Sequence, residues 1–93
     1  MQRQAIRLVI RGRVQGVGYR AWAACQARRM GLDGWVRNRR DGSVELLAVG
    51  PKAEIERLVE ACHSGPAAAK VAAIDRHAGQ DDGAAGFRQE RTL

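Results

Sequence analysis

The chain has 93 residues, of which 45% are hydrophobic and 28% charged, a composition that fits one folded domain with a modest core. No apolar run approaches the roughly 20 residues of a transmembrane helix, and no signal-peptide pattern follows Met1. We therefore expect a single domain over residues 1–93, located in the cytoplasm.

The net charge of +6 is distributed unevenly along the chain. Residues 1–40 contain ten arginines and one acidic residue, Asp33, whereas residues 41–93 contain six Lys or Arg and nine Asp or Glu. This asymmetry favours an anionic partner, either a small phosphate compound or a nucleic acid. An arginine-rich surface that is merely solvated would give the same pattern.

Apolar periodicity and turn residues predict strands and helices in a regular order. Gln4 to Arg11 alternates, with Ile6, Leu8 and Ile10 on one side, and this pattern predicts a half-buried strand. The other predicted elements are a helix over 21–30, strands over 32–38 and 43–49, a helix from Pro51 to the break at 64–66, a strand over 70–77 and a weak strand over 87–92.

The order of these elements predicts the fold class. Strand, helix, strand, strand, helix, strand is the split-βαβ or ferredoxin-like arrangement. Two helices with one apolar stripe each would cover one face of an antiparallel sheet. We therefore expect an α+β ferredoxin-like sandwich with both helices on one face and an extra C-terminal strand.

Cysteine and histidine residues give no sign of a metal centre or a disulfide. Cys25 and Cys62 both fall on the apolar faces of predicted helices, which indicates two small core residues. His63 and His77 have no partner at ligand spacing, so we expect both of them at the surface.

A glycine-rich stretch, Gly12-Arg13-Val14-Gln15-Gly16-Val17-Gly18-Tyr19-Arg20, joins the first predicted strand to the first predicted helix. Glycine lets a backbone approach a ligand closely with its N–H groups free, and a helix N-terminus adds partial positive charge. The stretch therefore predicts a cradle for an anion, with phosphate as the first choice.

Two nucleotide-binding motifs also contain glycine-rich loops and were compared with this stretch. Residues 16–21 match the G-x-G-x-x-A dinucleotide fingerprint, but a doubly wound domain needs more strands than 93 residues can supply. A Walker A loop is excluded because no Gly-Lys-Ser/Thr follows the glycines.

The stretch from Gly12 to Arg20 resembles the first signature of the acylphosphatase family. A later stretch resembles the family's second signature, and the two signatures have the separation that is usual in the family. Its residues are Gly34-Trp35-Val36-Arg37-Asn38, Gly42, Val44 and Gly50. The similarity runs from about Ile6 to Gly50, and the order of elements still fits beyond it. Tyr19 stands where phenylalanine is commoner in the family, and it keeps the aromatic ring.

The resemblance implies an enzyme that hydrolyses the carboxyl–phosphate bond of acyl phosphates to a carboxylate and inorganic phosphate, with no metal or organic cofactor. It implies Arg20 and Asn38 as the catalytic pair. The phosphate-binding residues that it implies are Gln15, Gly16, Val17, Gly18, Tyr19 and Arg20. The expected ligands are a small acyl phosphate and inorganic phosphate or a similar anion. We expect a monomer, with neither a membrane nor a nucleic acid as its partner.

The chemistry of the reaction is consistent with these residue types. A carboxylate whose conjugate acid has a pKa near about 4.3 leaves without protonation, so no general acid is needed. Arg20 would hold the phosphoryl oxygens with its planar fork of donors. Asn38 would accept a hydrogen bond from the attacking water and donate one to a phosphoryl oxygen.

Other interpretations stay open at the level of the sequence. Asn38 is also a common residue at the start of a turn. Four further arginines, at positions 13, 37, 39 and 40, are expected to be solvated or to steer ligands rather than to act in catalysis. RNA binding is an alternative for the basic half, although the four aromatic residues lie in no RNP-like motif. A phosphate-binding module without catalytic activity is the third candidate.

Overall fold

A computed structural model of the protein describes residues 3–92 as five strands and two helices. The elements are β1 (Gln4–Arg13), α1 (Tyr19–Arg29), β2 (Asp33–Asn38), β3 (Val44–Gly50), α2 (Lys52–Ser64), β4 (Lys70–Ala78) and β5 (Phe87–Gln89). Their order is the predicted βαββαβ followed by one extra strand, so the expected ferredoxin-like α+β fold is confirmed.

The sheet has the strand order β4-β1-β3-β2-β5. β1 pairs antiparallel with both β3 and β4, and β3 pairs antiparallel with β2. β5 joins β2 in parallel, with Phe87 opposite Gly34, so the sheet is mixed rather than wholly antiparallel. β4 and β5 lie at opposite edges, and residues 79–86 connect them along the end of the sheet where β1 begins.

One hydrophobic core lies between the sheet and the two helices. The residues of β1 that were predicted to share a face, Ile6, Leu8 and Ile10, all belong to it. α2 contributes Ile55, Leu58 and Cys62, and α1 contributes Ala23, Ala24 and Ala27. α1 packs mainly over β2 and β5, while α2 packs over β4 and β3. Within residues 3–92, no helix is long and apolar enough to cross a membrane.

Besides the parallel pairing of β5, the structure corrects two sequence-based predictions. Cys25 is exposed, so its assignment to the core was wrong, whereas Cys62 is buried as expected. The buried stripe of α1 runs through Ala23, Ala24 and Ala27. Cys25 follows Ala24 and is therefore rotated about 100° from it around the helix axis, which places it outside the stripe. The last strand ends at Gln89 instead of Thr92. His63 and His77 are exposed, as predicted.

Candidate functional site

Residues 14–18 form a loop between β1 and α1, here called the glycine loop, which ends at Gly18 in the left-handed conformation. Gly16 and Gly18 have φ angles of 74° and 77°. At either position an added Cβ would meet nothing within 4 Å, so glycine is needed there for backbone conformation and not for space. Gly18 is the N-cap of α1, and no side chain in the described range caps the helix there. The first N–H groups of α1 are therefore available to an anion.

A pocket of about 200 Å³ lies beside this loop. Its lining residues come from the loop, the start of α1, the end of β2 and the end of β5; they are Val14, Gln15, Gly16, Gly18, Tyr19, Arg20, Ala21, Asn38 and Gln89. The structure thus brings the two predicted catalytic residues into one pocket. Val17 is not among the lining residues, because it is partly buried against the hydrophobic core.

Asn38 reaches the pocket from the last position of β2. Successive strand residues point to opposite faces of a sheet, so Asn38 shares its face with Val36, which belongs to the core. Asn38 is half-buried at the point where the core ends and α1 begins. The strand register therefore places the amide on the same side of the sheet as the helices.

Arg20 enters the pocket from the second position of α1, where it is half-buried. Its Nη1 donates a hydrogen bond of 3.3 Å to the backbone carbonyl of Glu90, the residue that follows β5. The amide N–H of Glu90 in turn donates to the carbonyl of Val36 on β2 at 2.8 Å. The segment that follows β5 therefore helps to hold the Arg20 side chain in place.

Tyr19 contributes to the pocket, but its ring is buried in the core at 1% exposure. Its hydroxyl donates a hydrogen bond of 2.6 Å to the carbonyl of Cys62 on α2. Burial raises the pKa of Tyr19 above its usual value, so the phenol stays protonated at neutral pH. Burial also raises the pKa of the Cys62 thiol to about 12, which leaves this group unreactive.

Gln15 lines the pocket, and its side-chain amide is hydrogen-bonded to the protein backbone. Its Nε2 donates hydrogen bonds to the carbonyl of Arg39 at 2.7 Å and to the carbonyl of Ser43 at 2.8 Å. Both acceptors belong to the turn between β2 and β3. Only the backbone of Gln15 is left to meet a ligand through a donor.

Arg37 lies on the other face of the sheet from Asn38. Its Nε donates to Glu45 at 2.8 Å, and its guanidinium lies 4.5 Å from the ring centroid of Trp35. Glu45 also accepts a hydrogen bond from Arg7 at 3.1 Å. Arg37 is therefore part of a cluster of paired side chains on that face, and it is not simply solvated as expected.

Three residues that line the pocket were not predicted from the sequence: Val14, Ala21 and Gln89. Val14 is the first residue of the loop and Ala21 lies in the first turn of α1, so both could have been included from their position alone. Gln89 enters only because β5 pairs with β2, with Gln89 opposite Val36, and no local pattern in the sequence specifies this pairing. In residues 3–92, no three His, Cys, Asp or Glu side chains are grouped so that they could hold a metal ion.

Comparisons with known proteins cover nearly the whole chain. The family model described as Acylphosphatase matches residues 6–89, a range that includes every residue lining the pocket. A Rhodopseudomonas palustris (strain BisB5) protein named acylphosphatase is 55% identical over 75 residues, which cover 80% of this chain and 76% of that protein.

Solved structures give the same result. The crystal structure of an acylphosphatase from Bacillus subtilis superposes with a TM-score of 0.88 at 38% identity, covering 92% of this chain and 97% of the other. The structure of an acylphosphatase from Coxiella burnetii superposes with a TM-score of 0.90 at 32% identity, covering 95% and 93%.

Proposed function

This chain belongs to the acylphosphatase family, and we propose that Arg20 and Asn38 are the residues with which it hydrolyses acyl phosphates. The enzyme cleaves the bond between the carboxyl oxygen and phosphorus, releasing a carboxylate and inorganic phosphate. The observation that supports the residue assignment is the single pocket shared by both side chains and the glycine loop.

The phosphoryl group binds to the loop and the start of α1. The backbone N–H groups of Gln15, Gly16, Val17, Gly18, Tyr19 and Arg20 surround its oxygens. The N-terminus of α1 adds partial positive charge, and no acidic residue lies in the first turn to compete for it within the described chain. Arg20 donates to two phosphoryl oxygens at once, while the Glu90 carbonyl holds its guanidinium on one side. Inorganic phosphate or a similar anion occupies the same place.

Asn38 orients the attacking water. Its amide oxygen accepts a hydrogen bond from the water, and its amide NH₂ donates to a phosphoryl oxygen. The water oxygen forms a bond to phosphorus in line with the bond that breaks, and the carboxylate leaves with the electron pair of that bond. The proton of the water passes to the phosphate product or to solvent.

The reaction needs charge stabilisation more than proton transfer. The transition state of phosphoryl transfer is loose in most analyses, so that positioning and electrostatics supply most of the catalysis. A carboxylate leaving group with a conjugate-acid pKa near about 4.3 needs no proton at neutral pH. Arg20 and the backbone N–H groups meet the negative charge, and for this reason the proposal includes no metal or organic cofactor.

The test is the hydrolysis of benzoyl phosphate in the presence of a metal chelator. We expect wild-type turnover to resist the chelator and Arg20→Ala to lower kcat/KM by about 10³-fold or more. Arg29→Ala, at an exposed arginine in the last turn of the same helix, is the matched control and should stay within about twofold of wild type. A folded Arg20→Ala protein with near wild-type turnover would overturn the role of Arg20.

Asn38→Ala tests the second role. We expect kcat to fall by about 10²–10³-fold, the loss typical of one positioned transition-state donor. The inhibition constant of inorganic phosphate should change much less, because Arg20 and the loop still bind it. The reverse pattern, weak phosphate binding with normal kcat, would contradict water positioning by Asn38.

Three further expectations remain predictions. Competitive inhibition by inorganic phosphate would establish anion binding in the pocket, and size-exclusion chromatography with light scattering would establish the monomer. Fractionation of cells would test the cytoplasmic location. The proposal includes neither a membrane nor a nucleic acid as a partner.

A further inference from the structure

Gln15 joins two parts of the site that the sheet itself does not place side by side. The glycine loop follows β1, and Asn38 ends β2, but β3 lies between these two strands. The position of Asn38 relative to the loop therefore depends on the geometry of three strands. The side chain of Gln15 spans the gap directly, because it leaves the loop and ends at the turn that begins immediately after Asn38.

The two contacts of this side chain define its orientation. Both neighbours of the terminal amide are backbone carbonyls, of Arg39 and Ser43, and carbonyl oxygens only accept hydrogen bonds. The NH₂ group must therefore face the turn. It has two N–H donors, and both are used. The remaining atom, Oε1, is an acceptor and would repel a phosphoryl oxygen.

The turn that Gln15 contacts is itself closed by hydrogen bonds. The amide N–H of Arg39 donates to the Ser43 carbonyl at 2.9 Å, and that of Gly42 donates to the Arg39 carbonyl at 3.2 Å. Each of the two carbonyls thus accepts one hydrogen bond from inside the turn and one from Gln15. A closed turn moves as a unit, so fixing it also fixes the end of β2 and the backbone of Asn38.

We infer that Gln15 is a positioning residue of this enzyme: its carboxamide holds the turn at residues 39–43 against the glycine loop and thereby sets the position of the Asn38 amide relative to Arg20. The inference rests on the proposed role of Asn38. Gln15 contributes a backbone N–H to phosphate binding, while its side chain acts on the reaction only through Asn38.

The test is a double-mutant cycle between Gln15→Ala and Asn38→Ala, assayed with benzoyl phosphate. We expect Gln15→Ala alone to lower kcat by about 10–100-fold, since a displacement of about 1 Å can cost about 10²-fold. In the Asn38→Ala background, the same change should alter kcat by less than about twofold, because the group it positions is gone. The inhibition constant of inorganic phosphate should stay within about twofold throughout.

Two variants complete the design. Gln15→Met keeps the length of the side chain without its donors and replaces the alanine variant, with the same expectations, if that variant does not fold. Gln26→Ala, at a half-buried glutamine of α1 outside the pocket, is the matched control and should leave kcat unchanged. Circular dichroism of each variant establishes that it is folded.

The outcomes separate the inference from the proposed function. Wild-type kcat in Asn38→Ala would overturn the role of Asn38 and the inference with it. A slow Asn38→Ala together with fully additive losses in the double variant would overturn the inference alone. Weaker phosphate inhibition in Gln15→Ala with unchanged kcat would mean that the side chain binds phosphate, and this too would overturn it.

Discussion

The hydroxyl of Tyr19 supplies a hydrogen bond that α2 cannot make for itself. In an α-helix, the Cys62 carbonyl would accept from the N–H four residues later, but that residue is Pro66, which has no N–H. The Tyr19 hydroxyl donates to this carbonyl at 2.6 Å. The bond therefore fastens the first turn of α1, next to Arg20, to the last turn of α2.

We predict that Tyr19→Phe destabilises the protein by about 1–2 kcal/mol. The ring and its packing stay, but a buried carbonyl loses its hydrogen-bond donor, and an unpaired buried acceptor costs about that amount. Urea unfolding followed by circular dichroism measures the change. Cys25→Ser, at an exposed position of α1, is the control and should stay within about 0.5 kcal/mol of wild type. Equal unfolding midpoints for wild type and Tyr19→Phe would contradict the prediction.

The parts of the fold with strong periodicity could be predicted from sequence. The strict alternation of Ile6, Leu8 and Ile10 gave the buried face of β1 correctly. α1 offered no such contrast, because its buried residues after Tyr19 are all alanines and Ala21, on the exposed side, is an alanine too. A helix with small residues on both sides does not show which side is buried, and Cys25 was misplaced for that reason.

The candidate site could be predicted only as far as local motifs reach. Arg20 and Asn38 stand in recognisable stretches, and the structure brings them into one pocket. Gln89 and the Glu90 carbonyl reach the site through the parallel pairing of β5 with β2, a contact between distant parts of the chain. The direction of the Gln15 side chain likewise depends on strand order, which turn residues and periodicity do not specify.

Gly34, in the second signature, must be glycine for a different reason than the glycines of the loop. Its φ is +129°, and an added Cβ would lie 1.9 Å from the carbonyl oxygen of Leu47 on the neighbouring strand. Backbone atoms cannot move aside as the end of a flexible side chain can. The position therefore excludes every residue except glycine unless β2 and β3 separate.

We predict that Gly34→Ala destabilises the protein by at least about 3 kcal/mol, from backbone strain and overpacking together. Gly83→Ala is the matched control, because Gly83 also has a positive φ, of 75°, but an added Cβ there meets nothing within 4 Å. We expect it to cost about 1 kcal/mol. Urea unfolding measures both variants, and equal losses would show that the close approach to Leu47 has no effect.

Asp33 links three distant segments at the end of the sheet opposite the pocket. Its carboxylate accepts hydrogen bonds from Arg3 Nη1 at 2.7 Å and from the backbone N–H of Gly86 at 2.7 Å. Arg3 also donates to Asp81 at 3.0 Å. The hydrogen bond from Arg3, followed by that from Gly86, lowers the pKa of Asp33 below its ordinary value.

The lowered pKa sets the sign of a pH dependence. The folded protein binds a proton at Asp33 less readily than the unfolded chain does, so the carboxylate stabilises the fold at every pH above its unfolded pKa of about 3.9. That contribution is lost as the pH falls through the lower, folded pKa. The affected window is therefore acidic, from about pH 5 downward.

We predict that Asp33→Asn has a lower urea midpoint than wild type at pH 7 and that the difference shrinks as the pH falls below the unfolded pKa of about 3.9, because the wild-type carboxyl then takes up a proton on unfolding. Wild type should lose stability steeply in this window, whereas the variant should lose less. Glu60→Gln, at an exposed carboxyl of α2, is the control and should match the wild-type midpoint at pH 7. A difference between wild type and Asp33→Asn that stayed constant from pH 7 to pH 2.5 would show that the charge of Asp33 does not stabilise the fold.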